Sequence, residues 1–232
     1  MGSLGSPRRR AKKAMNHLKK VLTVLGILVY AVFIPLSFAA GNTGFIPDVV
    51  FFVLLPLLFS WLYELMQLNT ITYALLILGP IPHVLGTFGW YAHSPLPIAW
   101  DHVTHVAALL PLALVFTVCF SQWMDYKIFT KKNALLVASV FLLVSGIGAM
   151  IELSEFVGYL SLGVGEGGFR FGPGDGFEGP VGADFTNTDA VNDIGGGWIN
   201  TGWDLIYNTV GIVAGILIGF VIMWRRNGNY SK

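Results

Sequence analysis

The chain alternates long apolar runs with short polar connections along most of its length. Six of these runs are long enough to cross a membrane as helices, because about 20 residues at 1.5 Å per residue span a hydrocarbon core of about 30 Å. They cover residues 21–40, 49–66, 72–91, 102–120, 134–159 and 203–224. The pattern therefore predicts an all-α fold, a polytopic six-span transmembrane helix bundle.

The first run also has features of a secretory signal peptide. A basic segment precedes it, and the small residues Ser37, Ala39 and Ala40 stand at its end. Its length is at the upper limit for the apolar part of a signal peptide, which favours a membrane anchor over a cleaved segment. The topology of the later spans is the same in either case.

Basic residues are concentrated on one side of the predicted bundle. Of the 14 Lys and Arg residues, seven precede the first run, three lie between 123 and 133, three follow Trp224, and Arg170 is left for the opposite side. Cytoplasmic connections of membrane proteins are enriched in Lys and Arg. Both termini are therefore predicted to be cytoplasmic, in a multi-pass protein of the plasma membrane.

This topology predicts five segments, one of which is a long external loop. They are a basic cytoplasmic N-terminal segment at 1–20, spans one to five at 21–162, a Gly-rich acidic external loop at 163–202, span six at 203–224 and a cytoplasmic tail at 225–232. The loop is either a flexible solvated connection or a lid or cation-binding loop. Oxygens of Asp184, Asn187, Asp189 and Asp193 suit calcium, although their spacing is not that of an EF-hand.

Composition narrows the functional classes. The chain is 54% hydrophobic and 12% charged, which is typical of a membrane protein and not of a soluble domain. Cys119 is the only cysteine, which excludes an intrachain disulfide and a Cys-rich zinc site. No P-loop, dinucleotide fingerprint or nucleic-acid-binding motif is present. The basic N-terminal cluster favours contact with anionic lipid headgroups over contact with nucleic acid.

Acidic and histidine side chains occur inside the predicted spans, near the outer membrane surface. They lie at the start of the fourth span, the end of the fifth and the start of the sixth: Asp101 and His105, Glu152 and Glu155, and Asp204 and Asn208. Each pair is separated by three or four residues and so shares one helical face. Three helices therefore bring acids and a histidine to one depth of the membrane.

Carboxylates gathered inside a membrane need a cation, a proton or hydrogen-bond donors between them. Three interpretations follow: a divalent metal site, an acid–base site that shares protons, and a polar network that only ties the helices together. The metal candidates are Asp101, His105, Glu152, Glu155 and Asp204. The catalytic candidates are His105, Glu152, Glu155 and Asp204, with Asn208 orienting them. Taken alone, Asp101 is better explained as a helix cap than as a catalytic residue, and His102 is expected to face lipid headgroups.

The third span supplies two further histidines to the predicted pocket. His83 is expected deeper in the bundle and His93 at its outer mouth, and Pro80 and Pro82 can open the helix backbone near His83. Asn200 is a further pocket candidate just before the sixth span.

Small residues continue the polar face of the sixth span. After Asp204 and Asn208, the same face carries Gly211, Gly215 and Gly219 at four-residue spacing. Side-chain-free positions repeated along one face allow another helix to approach closely. A close helix–helix contact is therefore expected along this stripe.

The order of these polar residues resembles that of the YjdF-like integral membrane proteins. The resemblance rests on Asp101-x-x-x-His105, Glu152-Leu-Ser-Glu155-Phe and Trp198-x-Asn200-Thr201-x-x-Asp204, and covers roughly residues 83–219. Asn200 stands where that family typically has Asp. VanZ-like proteins are more distantly similar, through Asp101 and His105, Glu155, and Asp204-x-x-x-Asn208-Thr-x-Gly211. The VanZ-like arginine before the final Asp is missing here. The resemblance implies a fold and a site position.

Together these features lead to an expected function. The chain is expected to be an enzyme or lipid-modifying protein that acts on an amphipathic, lipid-type substrate at an outward-facing pocket, with a divalent metal ion or a shared proton at the acids. The alternatives are a cation or proton-coupled transporter and a non-catalytic membrane scaffold. Sparse charge in the cytoplasmic half of the spans counts against a transporter, which needs access from both sides.

Overall fold

The computed structural model describes residues 7–66, 68–91, 93–125, 127, 129–162 and 189–228, and all regular structure in these ranges is helical. The α-helices are α1 (Pro7–Ala40), α2 (Ile46–Leu65), α3 (Thr70–Leu78), α4 (Ile81–Leu85), α5 (Trp100–Phe120), α6 (Lys131–Leu162) and α7 (Asp189–Gly228). Six segments are long and apolar enough to cross a membrane: Met15–Ala40, Thr43–Tyr63, Thr70–Trp90, Trp100–Trp123, Lys131–Gly158 and Thr201–Trp224. The predicted six-span helical fold is thus confirmed.

The third span is interrupted twice. Asn69 begins α3 by accepting hydrogen bonds from the backbone N–H groups of Ile71 and Thr72. The helix stops before Pro80, which has no N–H to donate, and α4 begins just after it. The turn Gly86–Trp90 then leaves helical geometry, and Gly89 adopts a φ of +113° that favours glycine. The expected opening of the backbone near His83 is therefore present.

The last helix is longer than the sequence pattern indicated. It begins at Asp189, before the predicted start of the sixth span at residue 203. Two of the calcium candidates, Asp184 and Asn187, lie outside the described residues, as do the side chains of Asp189 and Asp193. The calcium hypothesis for this segment therefore stays a prediction.

The closest helix pair is α5 with α7, and the glycine stripe is the reason. A Cβ atom on Gly211 would lie 3.0 Å from the carbonyl oxygen of Val106, and one on Gly215 would overlap that of Leu110. A Cβ atom on Gly219 would lie 2.6 Å from Cγ2 of Thr117. Because most of these neighbours are backbone atoms, the two helices lie nearly in contact along the stripe, as the sequence predicted.

Apolar clusters fill the rest of the bundle. One joins α5, α6 and α7 through the buried residues Leu109, Ala113, Val140, Val144, Ile212 and Ile216. Another joins α1, α2 and α4 through Tyr30, Val49 and Val84, with Phe45 from the preceding turn. Outward-facing positions on all six spans carry exposed large apolar side chains, which suits contact with lipid.

Candidate functional site

Three helices bring the predicted polar residues together at one end of the bundle. Asp101 and His105 lie in the first turns of α5, Glu152 and Glu155 lie towards the end of α6, and Asp204 and Asn208 lie in the membrane-spanning part of α7. All six side chains are at least 90% buried. The chain alternates direction between spans, so these three helix segments meet at the same membrane surface.

His105 lies at the centre of this group, and its Nε2 atom faces two carboxylates. Nε2 is 3.3 Å from Oδ1 of Asp101 and 3.6 Å from Oδ1 of Asp204. Asp101 lies one turn before His105 on α5, whereas Asp204 reaches in from α7 across the glycine contact. One ligand atom from each of the three residues lies within 4.8 Å of the others.

The other ring nitrogen of His105 faces α6 and α7. Nδ1 is 3.1 Å from Oδ1 of Asn208, in a hydrogen bond, and 3.3 Å from Oε1 of Glu152. Because both of these neighbours are acceptors, a proton on Nδ1 can be donated to Asn208. Gly148 on α6 leaves space for this amide, since a Cβ atom there would lie 2.9 Å from Nδ2 of Asn208.

His102 belongs to the same group, so the expectation that it faces lipid headgroups is wrong. It is 1% exposed, and its Nδ1 atom lies 3.3 Å from Oδ1 of Asp204. Its ring stacks on Tyr207, with centroids 4.1 Å apart and planes 11° apart. The prediction failed because α7 packs so closely that it contacts two neighbouring faces of α5.

Asp101 is not the cap of α5, so the capping interpretation is wrong. Ala99 occupies the cap position and makes no side-chain bond there. The Asp101 carboxylate instead lies in the first turn, where the helix dipole favours negative charge, and accepts a 3.2 Å hydrogen bond from Thr104 Oγ1. The position of Asp101 in the first turn of α5 and the dipole of that helix therefore both favour an Asp101 carboxylate that faces His105.

Negative charge exceeds positive charge in this group. Among the described contacts, Asp101, Glu152 and Asp204 provide three carboxylates, whereas His102 and His105 provide two positive charges even when both are protonated. Both oxygens of Glu152 and Oδ2 of Asp204 are buried without a hydrogen-bond partner among the described residues. Two ionised oxygens no more than 4.8 Å apart repel by about 3.5 kcal/mol or more at an effective dielectric constant of about 20. Additional protons or a cation are needed to balance this charge.

Two of the three distances between the ligand atoms match those around a small divalent ion. Ligand atoms bound tetrahedrally at 2.0–2.2 Å lie roughly 3.3–3.6 Å from one another. The two distances from His105 Nε2, 3.3 Å and 3.6 Å, fall in this range. The donor set of one imidazole and two carboxylates suits first-row divalent ions. Glu152 was predicted as a ligand, but it lies on the Nδ1 side of His105, opposite the three converging ligand atoms.

His83 takes part in a second, separate polar cluster. Its Nδ1 atom lies 2.5 Å from the hydroxyl of Tyr91, and Nε2 lies 3.9 Å from Oδ1 of Asp48. Gly86 makes room for this contact, because a Cβ atom there would lie 2.5 Å from the Tyr91 ring. His93 is exposed beyond the break at Gly89.

The remaining predicted pocket residue cannot be placed by its side chain. Asn200 is part of α7, but its side chain lies outside the described residues.

Sequence spacing also missed Asp48 and Tyr91, which are brought to His83 by packing between α2 and α4 and by the broken turn. A buried acid at the start of the second span is the signal that could have indicated Asp48.

The comparisons with known proteins agree with the membrane architecture. A family model described as "Predicted membrane protein (DUF2238)" matches residues 21–225. No curated protein and no solved structure matches the chain significantly. The matched region covers most of the first span, all of the other five and every residue of the His105 group. Since it extends over most of the sequence, the chain belongs to this family of predicted membrane proteins.

Proposed function

We propose that the chain is a metal-dependent membrane enzyme that acts on an amphipathic, lipid-type substrate, with a divalent ion bound by Asp101, His105 and Asp204. The observation that supports this most directly is the orientation of His105. Nδ1 faces oxygens of Asn208 and Glu152, and Nε2 faces oxygens of Asp101 and Asp204. In a neutral ring protonated at Nδ1, the lone pair of Nε2 would point at the two aspartates. A lone pair facing two negative oxygens is unfavourable unless a cation lies between them.

The surrounding residues have separate roles in this proposal. Asn208 and Glu152 hold the His105 ring from its Nδ1 side, as carboxylate and amide partners commonly do for metal-bound histidines. His102 holds Asp204 from the other side through Nδ1. A bound divalent ion supplies Lewis acidity, which polarises a phosphoryl or carbonyl oxygen and activates water. Glu152, whose Oε1 atom lies 3.3 Å from Nδ1 of His105, would accept a proton from the far side of the ring.

The lipid-type substrate is inferred from the position of the site. Helices α5, α6 and α7 present the group at one end of the membrane-spanning bundle, which is the outer end in the predicted topology. At that depth a lipid headgroup and the start of its apolar chains are both within reach. The resemblance to YjdF-like proteins is compatible with membership of this family and does not indicate a particular reaction. The similarity to VanZ-like proteins stays an expectation.

Metal content of the purified full-length protein is the first test. We expect close to one equivalent of Zn²⁺ or Mn²⁺ after reconstitution and dialysis, and loss of it in Asp204→Asn. Asp48→Asn is the matched control, because Asp48 is also a buried acid beside a histidine but lies outside the ligand group. Equal metal content in wild type and Asp204→Asn would contradict the proposal.

The charge state of His105 distinguishes a site that binds a metal ion from a site that holds only protons. With a metal, added ion should raise the melting temperature, and this stabilisation should disappear as the pH falls through the usual histidine range near 6.5, since protons compete for the ligands. With His105 as an imidazolium between Asp101 and Asp204, added metal should leave the melting temperature unchanged. Glu152→Gln should keep the metal but alter its affinity.

Catalysis is tested separately with proteoliposomes. Lipid composition measured by mass spectrometry should change with time in the presence of wild-type protein and metal, and should stay constant with Asp204→Asn. Metal binding without any lipid conversion would contradict the proposed enzyme activity but not the proposed metal site. In that case cation flux across the same vesicles distinguishes a transporter from a scaffold.

A further inference from the structure

An apolar groove runs along the opposite half of the bundle from the His105 group. It lies between the first part of α6 and the last part of α7, with a volume of about 680 Å³. Val137, Phe141, Leu217 and Phe220 are among the side chains that form its walls. Apolar exposure alone is ordinary for a surface that faces lipid, so the shape of the groove and its surroundings must identify an occupant.

The length of the groove matches one leaflet of a bilayer. Its lining on α6 extends from Thr130 at the helix start to Leu142. Twelve residues of helix rise about 18 Å, compared with about 15 Å for half of a hydrocarbon core of about 30 Å. A groove of this length suits a single extended acyl chain.

A structured polar loop closes the membrane-surface end of the groove. Asn133, which also lines the groove, is 1% exposed and donates from Nδ2 to the carbonyl oxygens of Asp125 and Lys127 at 3.0 Å and 2.9 Å. Its Oδ1 atom accepts from the backbone N–H of Asp125 at 2.8 Å. These three bonds fix Lys127 beside the mouth of the groove, and Lys131 follows directly after the lining residue Thr130.

The mouth of the groove has an excess of positive charge. Asp125 pairs with Lys132 at 3.1 Å. Lys127 and Lys131 are exposed, and neither has an acidic partner among the described residues. An anionic headgroup attached to an acyl chain is complementary to these two ammonium groups and to the apolar groove of leaflet length beside them.

We propose that this groove is a binding site for one anionic phospholipid, with an acyl chain between α6 and α7 and the headgroup on Lys127 and Lys131. The site is separate from the His105 group and does not depend on the function proposed for it. A lipid at this position would also cover exposed Phe129 at the mouth.

The test uses the full-length protein in detergent with phosphatidylglycerol or phosphatidylcholine added as the probe, and measures bound lipid by native mass spectrometry. We expect preferential retention of phosphatidylglycerol. The double variant Lys127→Gln/Lys131→Gln should weaken this binding about thirty-fold, at about five-fold for each charge near the membrane surface. Lys20→Gln is the matched control, because Lys20 is exposed on α1, which packs on α2 and α3 and not on the groove.

A second pair of variants tests the groove itself. Ala134→Phe adds a ring to a lining position and should reduce binding of both lipids, whereas Leu135→Phe changes a neighbouring residue that is 68% exposed and does not line the groove. Equal binding of the two lipids, or equal loss in the lysine double variant and Lys20→Gln, would overturn the proposal. It would also be overturned if Ala134→Phe converted a dimer to a monomer, because the groove would then hold a second copy of the chain.

Discussion

Adding one methyl group to the glycine stripe should separate α5 from α7 and disturb the His105 group. A Cβ atom on Gly215 would lie 2.8 Å from Cβ of Ala113, where ordinary contact begins at 3.4 Å, and would overlap the carbonyl oxygen of Leu110. The helices must therefore move apart by at least 0.6 Å. The carbonyl oxygen is part of the backbone, so no rotation of a side chain can relieve the overlap.

The three glycines should respond differently because their neighbours differ. Gly211→Ala meets backbone atoms of Val106 at 3.0–3.1 Å, a milder clash than at Gly215. Gly219→Ala meets two atoms of Thr117, Cγ2 at 2.6 Å and Cβ at 2.8 Å. Rotation of the side chain can move Cγ2, at the cost of the 2.7 Å hydrogen bond to the carbonyl oxygen of Ala113, but not Cβ, so this clash is relieved only in part. The expected loss of stability is therefore largest for Gly215→Ala.

The magnitude follows from overpacking and from helix propensity. Overpacking typically costs about 1–3 kcal/mol, whereas Gly→Ala in an open helical position gains up to about 1 kcal/mol. Gly146→Ala on α6 is the matched control, since nothing lies within 4 Å of a Cβ atom there. Both variants gain this helix propensity, so they should differ by the overpacking cost of about 1–3 kcal/mol, or on the order of 2–12 °C in melting temperature for a chain of this size.

The same displacement should be visible at the site. Moving α7 by 0.6 Å would lengthen the hydrogen bond from His105 Nδ1 to Asn208 from 3.1 Å to about 3.7 Å, beyond hydrogen-bonding range. Thermal unfolding in detergent and metal content, measured on the same samples, give both readouts. Equal melting temperatures for Gly215→Ala and Gly146→Ala would refute the close contact of α5 with α7.

Three further predictions concern other parts of the chain. A reporter fused after Lys232 should behave as cytoplasmic and one inserted near Asp175 as external, because the basic residues lie on one side; an external C-terminus would reverse the placement of the site. His102→Leu should lower metal affinity about 10- to 100-fold by releasing Asp204, as loss of a residue that holds a metal ligand typically does; unchanged affinity in a metal titration would remove this role. The hydrogen bond from Lys132 holds the pKa of the Asp125 carboxyl below its usual value. Its stabilising contribution is therefore present at neutral pH and lost as the pH falls through the carboxyl range, so Asp125→Asn should flatten that part of an acid-unfolding curve.

Features set by spacing within one helix could be predicted from the sequence. Asp101 and His105 share a face because they are four residues apart, and the glycines of α7 share a face for the same reason. The breaks near Pro80 followed from the missing backbone N–H. The sequence also limited the site to one membrane surface, because each apolar run reverses the direction of the chain.

Features set by contact between helices could not be predicted in this way. His102 lies about 100° around α5 from its neighbours, and only the close packing of α7 brings Asp204 to both His102 and His105. The Tyr91 contact with His83 depends on the positive φ of Gly89, which turns the chain back on itself. Glu152 lies on the Nδ1 side of His105 because of the way α6 is rotated about its own axis. The helical period of the sequence does not predict that rotation.

The two histidine clusters of this chain differ in a way that bears on function. In the second cluster, one histidine lies beside one carboxylate and one phenol: His83 Nδ1 is hydrogen-bonded to the Tyr91 hydroxyl, and Nε2 lies 3.9 Å from Asp48. In the first, two imidazoles share three buried carboxylates among the described contacts, and His105 contacts all three within 3.6 Å. A network that served only to join helices would need no such excess of acid, since each unbalanced charge in a membrane costs free energy. The excess is therefore the strongest physical reason to look for a cation at Asp101, His105 and Asp204.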